Sequence, residues 1–503
     1  MSARRKTRRK RRADQRGIAL ILVLGSITLL TVFLTQLQEQ TSSELAAALA
    51  ERDALKAEYY ARSGINLSRL LIAMEPEIRN TVKNSVLGFM FGKNGPPQIP
   101  VWEFTDLVLG PFNDAVGSQS FLATIGADPL TAKNIGIQGG GRFELAIVDE
   151  DAKINLNIPA QNTFDANERL GRLLLGVFAP QSNNALFEQP DGDNQHSDRE
   201  TICGALVDWV DSDPAGNEET YPCQPNNQNR VSTGPEDNFY QMIGLPYRRK
   251  NAPFDSMDEA RLVRGMSDDV WATFVDPEPQ NPKKRVMTVW GQGEININAA
   301  NAQTLLSIVC GEEPTAELCN DPTQMVAFLG AVEMGKSFTM GLPLFGRGQD
   351  FTDMMAQKAS NNPLGLGTIM ASLNIKPVMW RNANQLAKRL RTSSKRFSIY
   401  ADGIVPGYKR TTKVRIHAVI DYRDAGVMGP MAPPEVGGGQ AAANAAMAPA
   451  APTLQGGRAG QSTGASGAGS SAGTNNGQPL TADDILRGMN SNPAGTIIYW
   501  RVE

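Results

Sequence analysis

The sequence Arg4–Gly17, RRKTRRKRRADQRG, runs directly into Ile18–Leu34, IALILVLGSITLLTVFL. At a rise of about 1.5 Å per residue the apolar run makes a helix of roughly 26 Å, close to a hydrocarbon core of about 30 Å, with Thr35, Gln36 and Gln38 as interfacial groups at its end. Such a helix can span a membrane or anchor to it. The basic stretch holds nine Lys or Arg residues against one acid, Asp14. The positive-inside bias therefore keeps the N-terminus cytoplasmic and exports everything beyond about residue 40. Further along, Leu45, Ala48, Leu49, Leu55, Ala57, Ile65, Leu67, Leu70 and Leu71 recur loosely at helical spacing until Pro76 stops the pattern. The reading is one long helix that begins in the membrane and ends against a globular head.

An ordinary secretory signal ends in small residues of the A-x-A type, and TQLQEQT, residues 35–41, offers none. Gln15-Arg16-Gly17 followed by Ile18 resembles instead the site at which prepilin peptidases cut between glycine and an apolar residue, leaving the membrane helix on the mature chain. The competing reading is an uncleaved signal anchor. Removing the leader's +8 from the net charge of −3 leaves about −11 for the rest. That balance disfavours non-specific nucleic-acid binding by the exported part.

A length of 503 residues with 41% hydrophobic composition permits two or three domains with real cores. The four cysteines form two local pairs, Cys203 with Cys223 and Cys310 with Cys319, which in an exported chain read as two disulfides. A zinc site would want C-x-x-C or neighbouring histidines. The chain has only His196 and His417, and neither lies beside the later pair.

The alternation in Gly141–Val148, after the glycines 139–141, predicts a half-buried strand. Phe397–Ala401 and Thr412–Arg423 read as two more strands joined by a turn around Gly403–Tyr408, and Thr496–Val502 as the last. Residues 426–479, rich in Gly, Ala, Ser and Pro, read as a flexible insertion at a hairpin tip. Between the first and second strands lies a block of helical patterns: Asn167–Phe178, Arg199–Val210, Ser256–Arg264, Asp268–Phe274, Ala302–Val309 and Asn382–Arg391. The expected fold class is α+β: a long N-terminal membrane helix packed on a small antiparallel sheet, with a large, mostly helical domain inserted between strands. The segments are then 1–17 leader, 18–74 long helix, 75–157 first part of the α+β domain, 158–394 inserted helical domain, 395–425 and 480–503 returning strands, and 426–479 spacer.

Carboxylates concentrate in Asp208-Trp-Val-Asp211-Ser-Asp213 and, further on, Glu236 and Asp237. Hard oxygen donors on a turn suit calcium, which takes six to eight oxygens, although the spacing is not that of an EF-hand. A solvated acidic loop with an Asp capping a helix is the alternative. Asp191–Asn194 reads as a turn. No H-E-x-x-H occurs in the chain. Although G-x-x-x-x-G-K-S is matched at Gly330–Ser337 and G-x-S-x-G at Gly460–Gly464 and Gly469–Gly473, no strand is read ahead of any of them, as a P-loop or nucleophile elbow needs, so the reading is non-catalytic. Gly293–Leu306, with its I-N-I-N entry to a helix, looks like a helix-hairpin-helix. The acids that follow, Glu312 and Glu313, stand where phosphate would approach, so it reads as a packing module and not a DNA contact.

Taken together these patches resemble the type II secretion minor pseudopilin K family (general secretion pathway protein K). They comprise Gly17-Ile18 with its helix, Val148–Asn157, Asp208–Asp213, Glu236–Tyr240, Pro246-Tyr247 through Ala252–Phe254, Ser256–Met266, Ile295–Ala299 and the terminal Tyr499-Trp500. The resemblance implies a pseudopilin head carrying an inserted helical domain, and calcium held by Asp208, Asp211, Asp213, Glu236 and Asp237 as a group. It also implies processing between Gly17 and Ile18, methylation, and a tip complex with minor pseudopilins I and J. Most pilin-like proteins carry glutamate as the fifth mature residue to neutralise a neighbour's amine; here that position is Leu22. A subunit lacking the acid suits the top of a fibre, where nothing stacks above it.

The function expected is therefore non-enzymatic. The chain would be a single-pass inner-membrane protein with a periplasmic bulk that caps a pseudopilus and helps initiate its assembly for export of folded proteins across the outer membrane. Its expected partners are minor pseudopilins I and J, the inner-membrane secretion platform, prepilin peptidase and the membrane, with no nucleic acid. The rival readings are a type IV pilus minor pilin and a membrane-tethered periplasmic hydrolase; a solvent-filled cleft with paired carboxylates outside the acidic loop would favour the latter.

Overall fold

The computed structural model describes residues 4–83, 96–113, 140–188, 197–212, 223, 240–241, 244–279, 281–291, 293–339, 341–358, 366–407, 410–425 and 493–503. Its longest element is α1, Arg4–Ala73, followed after Met74 by α2, Glu75–Lys83. The helix does not change character at Gly17: the basic leader and the apolar run share one hydrogen-bond ladder. Among the described residues this is the one helix long and apolar enough to cross a membrane, and its apolar window is wholly exposed. Beyond it, Ala57, Ala61, Ile65, Ser68, Leu71 and Ile72 are buried at steps of three and four, the stripe by which a helix packs on a sheet.

That sheet is antiparallel, in the order β1 (Arg142–Asp149), β2 (Arg396–Pro406), β3 (Thr411–Asp421), β4 (Thr496–Val502). Val148 pairs with Ser398 across β1 and β2, joining the strands on either side of the helical block. The fold class is thus α+β, with the small sheet and the long helix together. Alternate residues point to opposite faces. Phe143, Ile147, Phe397, Ile399, Ala401, Ile416, Ala418 and Ile420 form a core with α1 and Trp102. Contrary to the sequence expectation, β2 does not turn at Gly403 but runs through it to Pro406, and the reversal comes where Gly407 N donates to Arg410 O at 3.0 Å. Gly403 is required for another reason: a Cβ there would collide with the backbone of Ala57 and Ala61, so α1 lies directly on this strand.

The intervening block has its own core, built on α3 (Phe164–Phe178), α4 (Arg199–Val210), α5 (Ala302–Glu312), α6 (Pro322–Phe338) and α7 (Gly348–Met355). Side chains of Thr163, Asp198, Asn301 and Asp321 cap α3, α4, α5 and α6 by accepting from backbone amides of the first turn. Helices α3 and α5 touch backbone to backbone: a Cβ on Gly176 would strike Ser307 O, and one on Gly311 would strike Arg172 O. Three local expectations are corrected. Ser256–Arg264 contains a 3-10 helix, Met257–Leu262; Asp268–Phe274 is one α turn continued as a π turn to Val275. The helix expected to reach Arg391 ends at Arg389, because Leu390-Arg391 pair in parallel with Ile295-Asn296.

The block is tied to the sheet where the chain leaves and re-enters it. Ser394 Oγ donates to Asp149 Oδ2 at 2.6 Å, and Lys395 N and Arg396 N donate to Asp151 Oδ2 at 2.7 and 3.2 Å. Burial and the neighbouring charge of Asp151 push the Asp149 carboxyl well above the usual range.

Candidate functional site

Helix α4 delivers two of the five acidic candidates. Asp208 lies in its last turn, and Asp211 caps its end with its amide on Val207 O at 3.1 Å. The Asp211 carboxylate is buried and accepts from Asn167 Nδ2 at 3.2 Å, while Ser212 N donates to Asn162 Oδ1 at 3.1 Å. Asn162 has φ of 50°, a left-handed conformation that asparagine tolerates. The corner is rich in oxygen donors, the chemistry a hard cation takes. Asp213, Glu236 and Asp237 lie outside the described residues, as does Asp191–Asn194. Among the described residues no group of three or more His, Cys, Asp or Glu side chains gathers as a metal centre.

Around Trp209, between those two aspartates, the separate sequence patches converge. Its indole stacks on Phe254 at 6.2 Å with 9° between planes, and meets Tyr240 edge-on at 5.8 Å and Tyr247 at 6.3 Å. Trp209 Nε1 donates to Glu259 Oε1 at 3.1 Å, and Lys250 Nζ bridges Glu259 and Asp255 at 3.0 and 2.7 Å. Burial pushes the Tyr240 hydroxyl up to about 12, and it accepts from Arg264 N at 3.3 Å. Sequence reading singled out the acids of these patches and passed over their aromatics. The signal was there, since Asp208–Asp213 carries Trp209, Glu236–Tyr240 ends in Tyr240, and the patch from Pro246 to Phe254 carries Tyr247 and Phe254. Cys203 is bonded to Cys223 on the far side of α4 with Cα atoms 5.9 Å apart, and Cys310 to Cys319 with Cα atoms 5.6 Å apart.

Residues 152–275, which contain this corner and its aromatic cluster, match the family model of type II secretion system protein K. A solved structure similar to the chain is the crystal structure of the GspK-GspI-GspJ complex from the enterotoxigenic Escherichia coli Type 2 Secretion System, at 15% identity over 76% of this chain and 94% of that one, with a TM-score of 0.38. No curated protein matches the chain. The protein K match begins at Ala152, three residues after β1 ends, and stops at Val275, where the π turn closes.

At the other end, Gly17 and Ile18 lie on the exposed surface of α1; a Cβ on Gly17 would meet nothing within 4 Å. Leu22 is 68% exposed.

Proposed function

We propose that this chain is a minor pseudopilin of a type II secretion system: a non-enzymatic subunit, held by α1 in the inner membrane, that caps the periplasmic pseudopilus and helps initiate its assembly for export of folded proteins across the outer membrane. The reading rests on one observation. A protein K domain is inserted between two paired strands of a sheet whose helix continues into an exposed apolar segment. In this reading the basic leader stays cytoplasmic, the head is periplasmic, and prepilin peptidase cuts between Gly17 and Ile18. Residues 18–49 are exposed along the helix and would pack on the N-terminal helices of minor pseudopilins I and J, and on the inner-membrane platform. Leu22 leaves no acid for a neighbour above, which suits a subunit at the top. Asp208, Asp211, Asp213, Glu236 and Asp237 would hold calcium, which would stiffen the loop against α4.

Replacing Gly17 by Trp tests the processing step: an unprocessed precursor is expected, and mature product of normal size would count against the proposal. Crosslinking from positions between Ile18 and Leu34 is expected to capture minor pseudopilins. Capture of type IV pilus subunits in their place would move the chain to that class. Loss of terbium luminescence in Asp211→Asn would support the calcium site, and unchanged luminescence would remove it.

A further inference from the structure

The face of the sheet turned away from α1 is polar, and it does not close against the protein K block. A cleft of about 420 Å³ remains, walled by the sheet on one side and by Ser256–Asp258, Pro282, Arg285 and Met287–Trp290 on the other. This volume lies in the range of about 300–1,000 Å³ typical of small-molecule sites. The registers show how the sheet furnishes it. One row across the strands carries Glu144, Asp402 and Arg415, with Glu503 bonded to the Arg415 backbone. The next carries Ala146, Tyr400, His417 and Arg501.

Two properties narrow the ligand. The first is charge. Among the described residues four cations line the cleft, and each already has a carboxylate: Lys153 with Glu150 at 3.3 Å, Arg285 with Asp276 at 2.8 Å, Arg415 with Asp402 at 2.7 Å, and Arg501 with Glu503 at 3.5 Å. An anion entering here would displace or face an acid at every cation, and a cation would face an arginine or lysine at every acid. A neutral ligand meets neither cost and finds donors and acceptors fixed side by side. The second is the aromatic chain. Tyr400 stacks on His417 at 4.1 Å, His417 meets Tyr499 at 5.1 Å, and Tyr499 meets Trp290 at 5.1 Å, the last pair joining the two walls. Ring faces beside planar hydrogen-bonding groups suit a molecule that is apolar on its C–H faces and hydroxylated at its rim.

We propose that this cleft binds a neutral saccharide of about disaccharide size. The Tyr499 and Trp290 rings take the sugar face, and the Arg415–Asp402 and Arg501–Glu503 pairs take the hydroxyls. The cleft is assigned binding alone, and recovery of the sugar intact checks that assignment. A glycosidase needs one carboxyl kept protonated as general acid. Asp402 is held below the usual range, the hydrogen bonds and charges of Arg415 and Lys413 outweighing its burial; Glu150 is held low in the same way, chiefly by Lys153. The cleft inference does not depend on the pseudopilin reading, since it rests on the residues of the two walls and not on the family match.

The test is a titration of the full chain in detergent micelles with chitobiose, cellobiose and maltose, and separately with sodium phosphate and glycylglycine, followed by tryptophan fluorescence. Saturable binding of at least one disaccharide is expected, with the sugar recovered intact and no saturable response to phosphate or the dipeptide. Tyr499→Ala and Arg501→Ala are each expected to weaken it by about fivefold to tenfold. The Arg501 side chain is half exposed and holds rim ion pairs and a hydrogen bond to Tyr499, none of them in a core, so that variant leaves folding intact. No saturable response to any of the three disaccharides overturns the proposal. So does tighter binding of phosphate or dipeptide, or an Arg501→Ala variant that binds as the parent does.

Discussion

His417→Phe should abolish a loss of stability that the natural chain undergoes as pH falls from 6.5 to about 4. Burial is the largest influence on this imidazole; Glu150 opposes it, and Arg285, Lys153 and Arg501 add to it, bringing the group from 6.5 down to about 4. In that window the unfolded chain binds a proton at His417 and the folded chain does not. Stability is therefore complete above pH 6.5 and declines as pH falls towards 4. At about 1.4 kcal/mol per pH unit for one proton, the loss reaches about 3 kcal/mol. Nε2 is buried with no hydrogen-bond partner among the described residues, so phenylalanine keeps the ring between Tyr400 and Tyr499 and sacrifices no bond. Urea unfolding of the full chain in detergent, followed by the fluorescence of Trp290 beside Tyr499, measures both proteins between pH 4 and 8. Asp402 and Asp421, also held low, weaken both equally in acid and cancel in the difference, whereas Glu150, whose charge acts on His417, does not. That difference should be flat above pH 6.5 and close by about 3 kcal/mol towards pH 4. Parallel curves would refute the assignment of a neutral, buried imidazole.

Gly403→Val should lift α1 from β2, since its Cβ has no room against Ala57 and Ala61; a cost of about 1–3 kcal/mol or more is expected, read as a lowered melting temperature of the sheet. Gly176→Ala should separate α3 from α5 at a comparable cost, and urea midpoints should drop while the secondary structure seen by circular dichroism persists. Removing the bond between Cys310 and Cys319, nine residues apart, should cost about 2–3 kcal/mol through the freed loop; an unchanged midpoint in the double alanine variant would show that the α5 end is held by packing alone.

Much of this architecture was legible because its signals are local. The alternation in Phe143, Leu145 and Ile147 records a single buried face, whereas of the residues read at helical spacing along α1 only Ala57, Ile65 and Leu71 are buried and Leu45, Leu49, Leu55 and Leu70 are exposed. Local propensity failed where a distant backbone decides. Gly403 looked like a turn because nothing nearby reveals that α1 passes over it. Leu390-Arg391 looked helical because their strand partner, Ile295-Asn296, lies 95 residues away. The acidic corner was half legible, as Asp208 and Asp211 are neighbours in sequence, whereas the ring cluster on Trp209 needs Tyr240, Tyr247 and Phe254 to be brought back to α4. The cleft was not legible at all. Its walls come from residues as far apart as Glu144 and Glu503, and its Arg415–Asp402 pair and its row of Tyr400, His417 and Arg501 form only once the strands are in register.

Inserting a block of this size between two strands has a consequence for the cleft. Asp149 and Ser394 stand 245 positions apart and hydrogen-bond to each other. Closing a flexible loop of that length costs about 5 kcal/mol, whereas a folded block with its own core presents its two ends already close together. What remains is to fix the angle between block and sheet. Asp151 does so at the crossing by holding Lys395 N and Arg396 N. Arg396 extends the hold beside the cleft, where its guanidinium donates to Trp290 O and Gly291 O on the block and to Asp421 Oδ2 on the sheet. Both walls of the cleft are thus gripped by one arginine, and the spacing between Trp290 and the sheet face is set by its reach.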